Sequence, residues 1–284
     1  MAAGGGVVYY TSLQEIPYTK RRHAILISPE SEMQLGEATW EQITAQAKSS
    51  RTLLPSSSPP SRLVRRVASK IAHVTSDDYG GGYQEHLKRL KWDVAVINSP
   101  QVNAFVVPGG KIVVYTGLLS MLSSEDELAA VLAHEVAHVV ARHGAERLTQ
   151  GSFIELGRML LYLVMGFPIP SGPLAAVFFL PNSRKAETEA DVIGIQLAAR
   201  ACYDPSAAVS VFEKLGRMEE KSGAGKAPKF LRTHPHSSDR IVAIKKMLST
   251  AESLYESNGC GGGLGGQFMK LVVGERSVSS TEEW

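Results

Sequence analysis

"LAAVLAHEVAHVVARHG", residues 128–144, is apolar along most of its length, yet it holds two histidines and a glutamate in the order His134-Glu135-x-x-His138. Each helical residue turns about 100°, so residues four apart lie about 40° apart around the axis. His134 and His138 therefore share one face, one turn apart, and both imidazoles can reach a single ion. Glu135 lies about 100° from His134 and about 60° from His138. It flanks the pair, as a base acting on water at that ion would. Ala133, Val136, Ala137 and Val139 surround the three polar groups, so burying them without a cation would be costly. Two helical histidines can equally be a satisfied core pair. The glutamate between them, in an apolar helix of small residues, is what favours a metal, and zinc suits imidazole and carboxylate donors.

The helix has a clear start. Ser124-Glu125-Asp126-Glu127 forms a capping box with Ser124 as N-cap and Glu127 at the third helical position. Three acidic residues in the first turn suit the positive end of the helix dipole. A third protein ligand has to come from elsewhere. The metzincin pattern needs Gly and His three and six residues after His138, where this chain has Ala141 and Gly144. On a continuing helix His143 falls about 180° from His134 and is set aside. "AETEAD", residues 186–191, is the better source. Glu187 and Asp191 are four apart and share a face, whereas Glu189 points the other way. Glu187 is expected to bind zinc, and Asp191 to accept the outer ring N–H of a ligating histidine and fix its tautomer. Alone, this stretch would read as a solvated acidic helix start.

The rest of the chain divides around that helix. An extended opening piece (23–28) and a helix near 33–47 lead to a Ser/Pro-rich connection. Residues 62–74 have helical spacing and a basic face, read as the solvated side of an amphipathic helix. Residues 93–100 and 103–117 carry β-branched runs, and Pro108-Gly109-Gly110 marks a hairpin turn in the second. A helix beginning at Asn182 or Ser183 carries the acidic motif. Another, over 204–220, has Asp204 as N-cap and Pro205 at its first position. Residues 159–180 are the most apolar stretch and approach the roughly 20 residues that span a bilayer. Pro168, Pro170, Gly172 and Pro173 interrupt them, which favours surface contact or partial insertion over a straight span. The domain expectation is an extension and linker over 1–60, a metallopeptidase domain over 61–258 and a Gly-rich tail over 259–284.

Composition narrows the function. A net charge of +2 and 44% hydrophobic residues suit a globular protein and give no reason to expect nucleic acid as a partner. The Gly-rich tail lacks the Lys-Ser/Thr of a phosphate-binding loop. Cys202 and Cys260, the two cysteines, lie far apart and suggest no disulfide framework. The N-terminus shows neither a secretory signal nor a transit peptide.

"HEVAH" followed by "RKAETEAD" resembles the gluzincin metallopeptidases that include HtpX, the CAAX prenyl protease and the Oma-type proteases of the mitochondrial inner membrane. "NAFVVPGGKIVVYTGLL", "HVVARHGAERL" and "THPHSSDRI" agree, so the resemblance spans roughly 90–245 and is nearest the Oma type. It implies Glu187 as third ligand, Asp191 as its partner, and quality control of inner-membrane proteins under stress. Members of that type carry a transit peptide and a transmembrane helix before the catalytic domain, and neither pattern stands out here.

The expected protein is thus a mostly helical α+β zincin-like endopeptidase with a small β-hairpin or sheet beside the metal helix. One Zn2+ per chain and Glu135 would activate water against a peptide carbonyl. The strand near Asn103 would add main-chain hydrogen bonds to an extended protein or peptide substrate. His234, placed beside the site by the resemblance, has three readings: helix cap, latch on the open zinc position, or hydrogen-bond donor to the tetrahedral intermediate. Arg240 would orient a carboxylate of the site or substrate. Homo-oligomerisation is compatible with the sequence. The rival class is a zinc-stabilised, chaperone-like binding module without turnover, against which an intact Glu135 argues.

Overall fold

The structure, a computed structural model, describes residues 2–75, 86–165, 171–222, 228–234 and 238–260, with side chains outside 2–6, 157, 160–183, 222 and 238–239. Helix α5 (Glu125–Val140) runs through the middle of the core. Leu128, Ala129, Leu132, Ala133, Val136 and Ala137 are buried along it. Ser124 caps it, its side chain accepting from Glu127 N at 3.2 Å. The return bond expected of the capping box is redirected, because the Glu127 carboxylate accepts from Ser123 N and from Lys214 Nζ, each at 2.6 Å.

Around α5 pack α3 (Pro59–Thr75), α7 (Ser171–Arg200), α8 (Ala207–Ser222) and a three-stranded sheet. On α3 the apolar positions Val64, Val67, Ala68 and Ile71 face the core, and Arg62, Arg66 and Lys70 form the exposed stripe. The sheet order is β3-β5-β4. Strands β4 (Ala104–Val107) and β5 (Lys111–Tyr115) form the expected hairpin, paired antiparallel from Val107↔Lys111. Gly109 and Gly110 turn it at φ +87° and +88°, which glycine adopts without steric cost. β3 (Asp93–Ile97) lies parallel to β5. Its outer side is covered by residues 52–54, through Leu54 N to Val96 O and Asn98 N to Thr52 O. That leaves β4 as the sheet edge nearest α5.

Several elements depart from expectation. Residues before the first expected strand form α1 (Ala2–Thr11) and β1 (Leu13–Glu15), and β1 pairs antiparallel with β2 (Arg22–Ala24). This hairpin joins the core through Ile16, and Ile25 just beyond it is also buried. α2 (Pro29–Ser49) is capped by Ser28 and lies where a helix was read. Leu87–Arg89 form a single 3-10 turn, and α4 (Thr116–Met121) follows β5. α6 (His143–Met165) leads into the apolar stretch, most of whose side chains are outside the described set.

α7 begins at Ser171, not at Asn182 or Ser183. Pro181 lies inside it. A proline deletes one backbone bond and crowds the preceding turn, and here the helical run on both sides carries through. α9 (Lys229–Thr233) and α10 (Ser238–Ser257) complete the fold. Cys202 and Cys260 form a disulfide, contrary to the sequence reading, with Cα atoms 5.1 Å apart. Their separation of 58 residues hid the pairing. It exists because α10 packs back along α7, and the two helices end side by side.

A candidate metal centre

α5 presents His134, Glu135 and His138 toward α7, which carries Glu187 and Asp191. Gly194 allows the two helices this close. A Cβ there would meet His134 Cα and N at 2.9 Å. Glycine in a helix interior costs about 1 kcal/mol relative to alanine, so its presence in this one marks a contact that tolerates no side chain.

His134, His138, Glu187 and His234 each offer one donor atom, and these atoms lie within 4.8 Å of one another. His134 Nε2 is 3.2 Å from His138 Nε2, 3.3 Å from His234 Nδ1 and 3.4 Å from Glu187 Oε2. His138 Nε2 is 3.5 Å from Glu187 Oε1, and His234 Nδ1 is 3.0 Å from Glu187 Oε2. A tetrahedral ion with bonds of about 2.0–2.1 Å separates its ligand atoms by roughly 3.3 Å, so the donor set has the size of such a site. Ring nitrogens facing one another at these distances need a shared cation or a proton between them. Charge agrees: Glu135, Glu187 and Asp191 are buried carboxylates facing one buried guanidinium, Arg240. The formal excess of two negative charges is what a divalent cation neutralises. The residues present fit a metal ion.

The surrounding contacts orient these donors. His134 Nδ1 is 3.0 Å from Asp191 Oδ1, a close charge contact without the alignment of a hydrogen bond. Arg240 grips Asp191 with a two-pronged fork, Nε to Oδ2 and Nη2 to Oδ1, both 2.7 Å, and its Nη1 lies 3.2 Å from Glu187 Oε2. The guanidinium stacks 4.6 Å from the centre of the Phe212 ring. His234 is the C-cap of α9, its N–H donating to Phe230 O at 2.8 Å. Its Nε2 lies 3.2 Å from Glu135 Oε1, without the alignment of a hydrogen bond.

Left to the protein's own charges, the site polarises strongly. Burial opposes a charge on His134, yet Asp191 and Glu187 outweigh it and lift the ring to about 9. Burial, then the neighbouring His134, push His138 well below the usual imidazole range. Burial raises the Glu135 carboxyl, against the pull of His234 and His134. Glu187, despite burial, is held far below the carboxylate range by hydrogen bonds from His134 and His234.

The residues anticipated from sequence thus gather at one place, with one exception. Asn103 is buried just before β4, and its carbonyl accepts from Tyr115 N at 3.1 Å, while its side-chain oxygen has no hydrogen-bond partner. It adds no atom to the donor cluster. The placement of His143 is corrected. α5 ends at Val140, Arg142 turns the chain at φ +52°, and His143 opens α6, so it is not on the helix of His134. Its Nδ1 lies 2.8 Å from His138 Nδ1, and its Nε2 lies 3.0 Å from Glu189 Oε2. His143, Glu189 and Gly194 were missed as parts of the site. Gly194 alone had a local signal, a glycine inside a strong helical pattern.

Comparison with known proteins agrees with this geometry. Residues 66–248 match peptidase family M48. The chain is similar to the mitochondrial metalloendopeptidase OMA1 of Schizosaccharomyces pombe, 37% identical over 265 residues, covering 92% of this chain and 74% of that protein. It is 34% identical to the mitochondrial metalloendopeptidase OMA1 of Saccharomyces cerevisiae over 262 residues, covering 90% and 75% of the two. With Homo sapiens metalloendopeptidase OMA1 the identity is 28% over 266 residues, 89% of this chain and 49% of that one. A family match through α5, α7 and the start of α10, and relatives aligned along nine-tenths of the chain, make this protein a metalloendopeptidase belonging to peptidase family M48.

Proposed function

We propose that this metalloendopeptidase is a zinc enzyme in which His134, His138 and Glu187 hold the ion and Glu135 is the general base. The observation that carries this is the donor cluster, in which Glu187 and His134 each lie 3.0–3.5 Å from the other donors and all four donor atoms fall within 4.8 Å of one another. A bound zinc would polarise the scissile carbonyl and acidify water. Glu135 then takes a proton from the attacking water and returns it to the leaving amine. Burial favours the protonated carboxyl, and the cationic neighbours favour the ionised one, a balance suited to a group that must do both. Arg240 fixes Asp191, and Asp191 fixes the His134 ring. An extended substrate adding to the β4 edge would be held by main-chain hydrogen bonds beside Glu135.

His234 supplies the fourth donor and reaches toward the base. This favours the latch among its three readings: in the resting protein the ring fills the position that water and substrate need. His234 is the C-cap of α9, so a shift of α9 would withdraw it.

The mitochondrial relatives support a role in mitochondrial protein quality control, at the inner membrane. Membrane contact is supported by exposed apolar side chains on α1 (Val7, Val8, Tyr9, Tyr10) and α6 (Leu148, Leu156, Met159), with Tyr9 against Phe153 at 6.3 Å. Among the described residues no helix is long and apolar enough to cross a membrane. We count the β1–β2 hairpin with the metallopeptidase unit, because Ile16 packs in its core.

The deciding experiment is casein cleavage by wild type, Glu135→Gln and Glu187→Ala, with zinc content measured on each. Glu135→Gln is expected to keep stoichiometric zinc and lose nearly all hydrolysis, and Glu187→Ala to lose zinc. Zinc retained by Glu187→Ala but lost by Glu189→Ala would overturn the ligand assignment. Hydrolysis by Glu135→Gln at the wild-type rate would overturn the role of the base.

A further inference from the structure

His143 belongs to no expected part of the site, yet it is buried against a ligand and continues into a chain of contacts that leaves the metal centre. His138 Nε2 faces the donor cluster. A neutral His138 giving its lone pair there must carry its proton on Nδ1. That Nδ1 lies 2.8 Å from His143 Nδ1, so the proton is donated to His143. His143 then holds its own proton on Nε2 and donates it to Glu189 Oε2 at 3.0 Å. Glu189 is buried and is gripped from the far side by Arg21 Nε at 2.8 Å and by the Thr19 hydroxyl. Each proton in this row has one consistent place.

Two local features build the row. Arg142, in the left-handed region at φ +52°, breaks α5 and swings His143 back over His138. That conformation is uncommon for a non-glycine residue. Here three contacts of the buried Arg142 guanidinium hold it: Glu32 Oε2 at 2.9 Å, Gln14 Oε1 at 2.8 Å and Ile27 O at 2.9 Å. Thr19 and Arg21 sit in the connection between β1 and β2, where Tyr18 and Lys20 also have positive φ. Arg21 is anchored further by Glu146, with Nη1 to Oε1 at 2.8 Å and Nη2 to Oε2 at 2.6 Å.

The two ligating rings are thus supported in parallel. His134 rests on Asp191, which rests on Arg240. His138 rests on His143, then Glu189, then Arg21. We propose that His143 is a positioning residue for the metal ligand His138, fixing its Nδ1–H tautomer and ring plane, and that the Thr19–Arg21 turn of the N-terminal hairpin is the outer anchor of this relay. The proposal rests on the reading of His138 as a ligand. Outer partners of ligating histidines typically contribute 10–100-fold to metal affinity.

The test uses the full chain, with zinc affinity measured by chelator competition, the visible spectrum of the cobalt-loaded protein, and thermal denaturation as a check on folding. His143→Ala is expected to weaken zinc binding by about 10–100-fold and to shift the cobalt bands. His143→Asn, whose amide oxygen can occupy the Nδ1 position as an acceptor, is expected to recover most of both. Glu189→Gln should weaken zinc binding less than His143→Ala, and Arg21→Ala less again. Wild-type affinity and cobalt bands in His143→Ala, with zinc lost from His138→Ala, would overturn the relay and leave the ligand reading intact. Zinc retained by His138→Ala would overturn the ligand reading itself. If His143→Ala does not fold, Glu189→Gln decides. Weakened zinc binding and shifted bands in that variant support the relay, because the neutral amide oxygen accepts from His143 Nε2–H and Arg21 without the charge that makes the carboxylate bonds strong. Wild-type affinity and bands in it overturn the relay.

Discussion

Gly194 and His134 touch backbone to side-chain position, with no room for a methyl group: a Cβ at 194 would lie 2.9 Å from the His134 Cα and N. The approach of α7 to α5 that brings Glu187 and Asp191 to the histidines depends on that missing atom. Gly194→Ala gains helix propensity worth about 1 kcal/mol, but overpacking against rigid backbone costs about 1–3 kcal/mol. The expected result is a lower Tm, by roughly 2–4 °C for each net kcal/mol, together with weaker zinc binding. Thermal denaturation and chelator competition measure the two. A more stable variant with unchanged zinc affinity would show that the helices can separate without cost.

His234 divides latch from catalytic aid by the sign of one measurement. If the ring fills the site nine-tenths of the time, His234→Ala raises basal proteolysis about tenfold, with zinc retained through the three remaining donors. We expect this increase in a steady-state peptide assay. A fall in kcat with zinc retained would instead assign the ring to the transition state.

Arg240 and Asp191 are a buried pair, and removing one partner strands the other. Arg240→Leu is expected to destabilise the fold by about 3–5 kcal/mol, and Arg240→Leu with Asp191→Asn to recover part of it. Arg240→Lys keeps the charge and loses the fork, so it should fold but bind zinc more weakly. Urea denaturation and zinc competition on the three variants check this, and additive losses in the double variant would contradict it.

Acid should weaken the fold through His86. Burial, then the Arg142 charge, push its imidazole down to about 4, and its Nε2–H donates to Val140 O at 3.1 Å. In the unfolded chain the ring binds a proton near pH 6.5. Between these values the unfolded state holds more protons, so stability falls as pH drops through about 6.5 and levels off below about 4. At 1.36 kcal/mol per unit the loss approaches about 3 kcal/mol. Urea midpoints between pH 7.5 and 5 should fall less steeply for His86→Gln than for wild type, and parallel slopes would count against this.

The sequence by itself determined whatever repeats at helical or strand spacing. His134, Glu135 and His138 were legible because a helix places residues four apart on one face, and Ser124 because a cap is local. The turn between β4 and β5 was legible because Pro108, Gly109 and Gly110 carry their own conformational preferences. Glu187 and Asp191 were legible as a pair for the same reason as the histidines. Tertiary structure alone decided which elements meet. It placed His234 at the fourth donor position and joined Arg240 to Asp191. It paired Cys202 with Cys260 across 58 residues, and brought the Thr19–Arg21 turn to Glu189. His143 shows the physical reason. Its role depends on one left-handed residue, Arg142, held there by contacts from Gln14, Ile27 and Glu32. Continued as a helix, the same residues would point His143 away from His138, and no periodicity in the chain records that the helix stops.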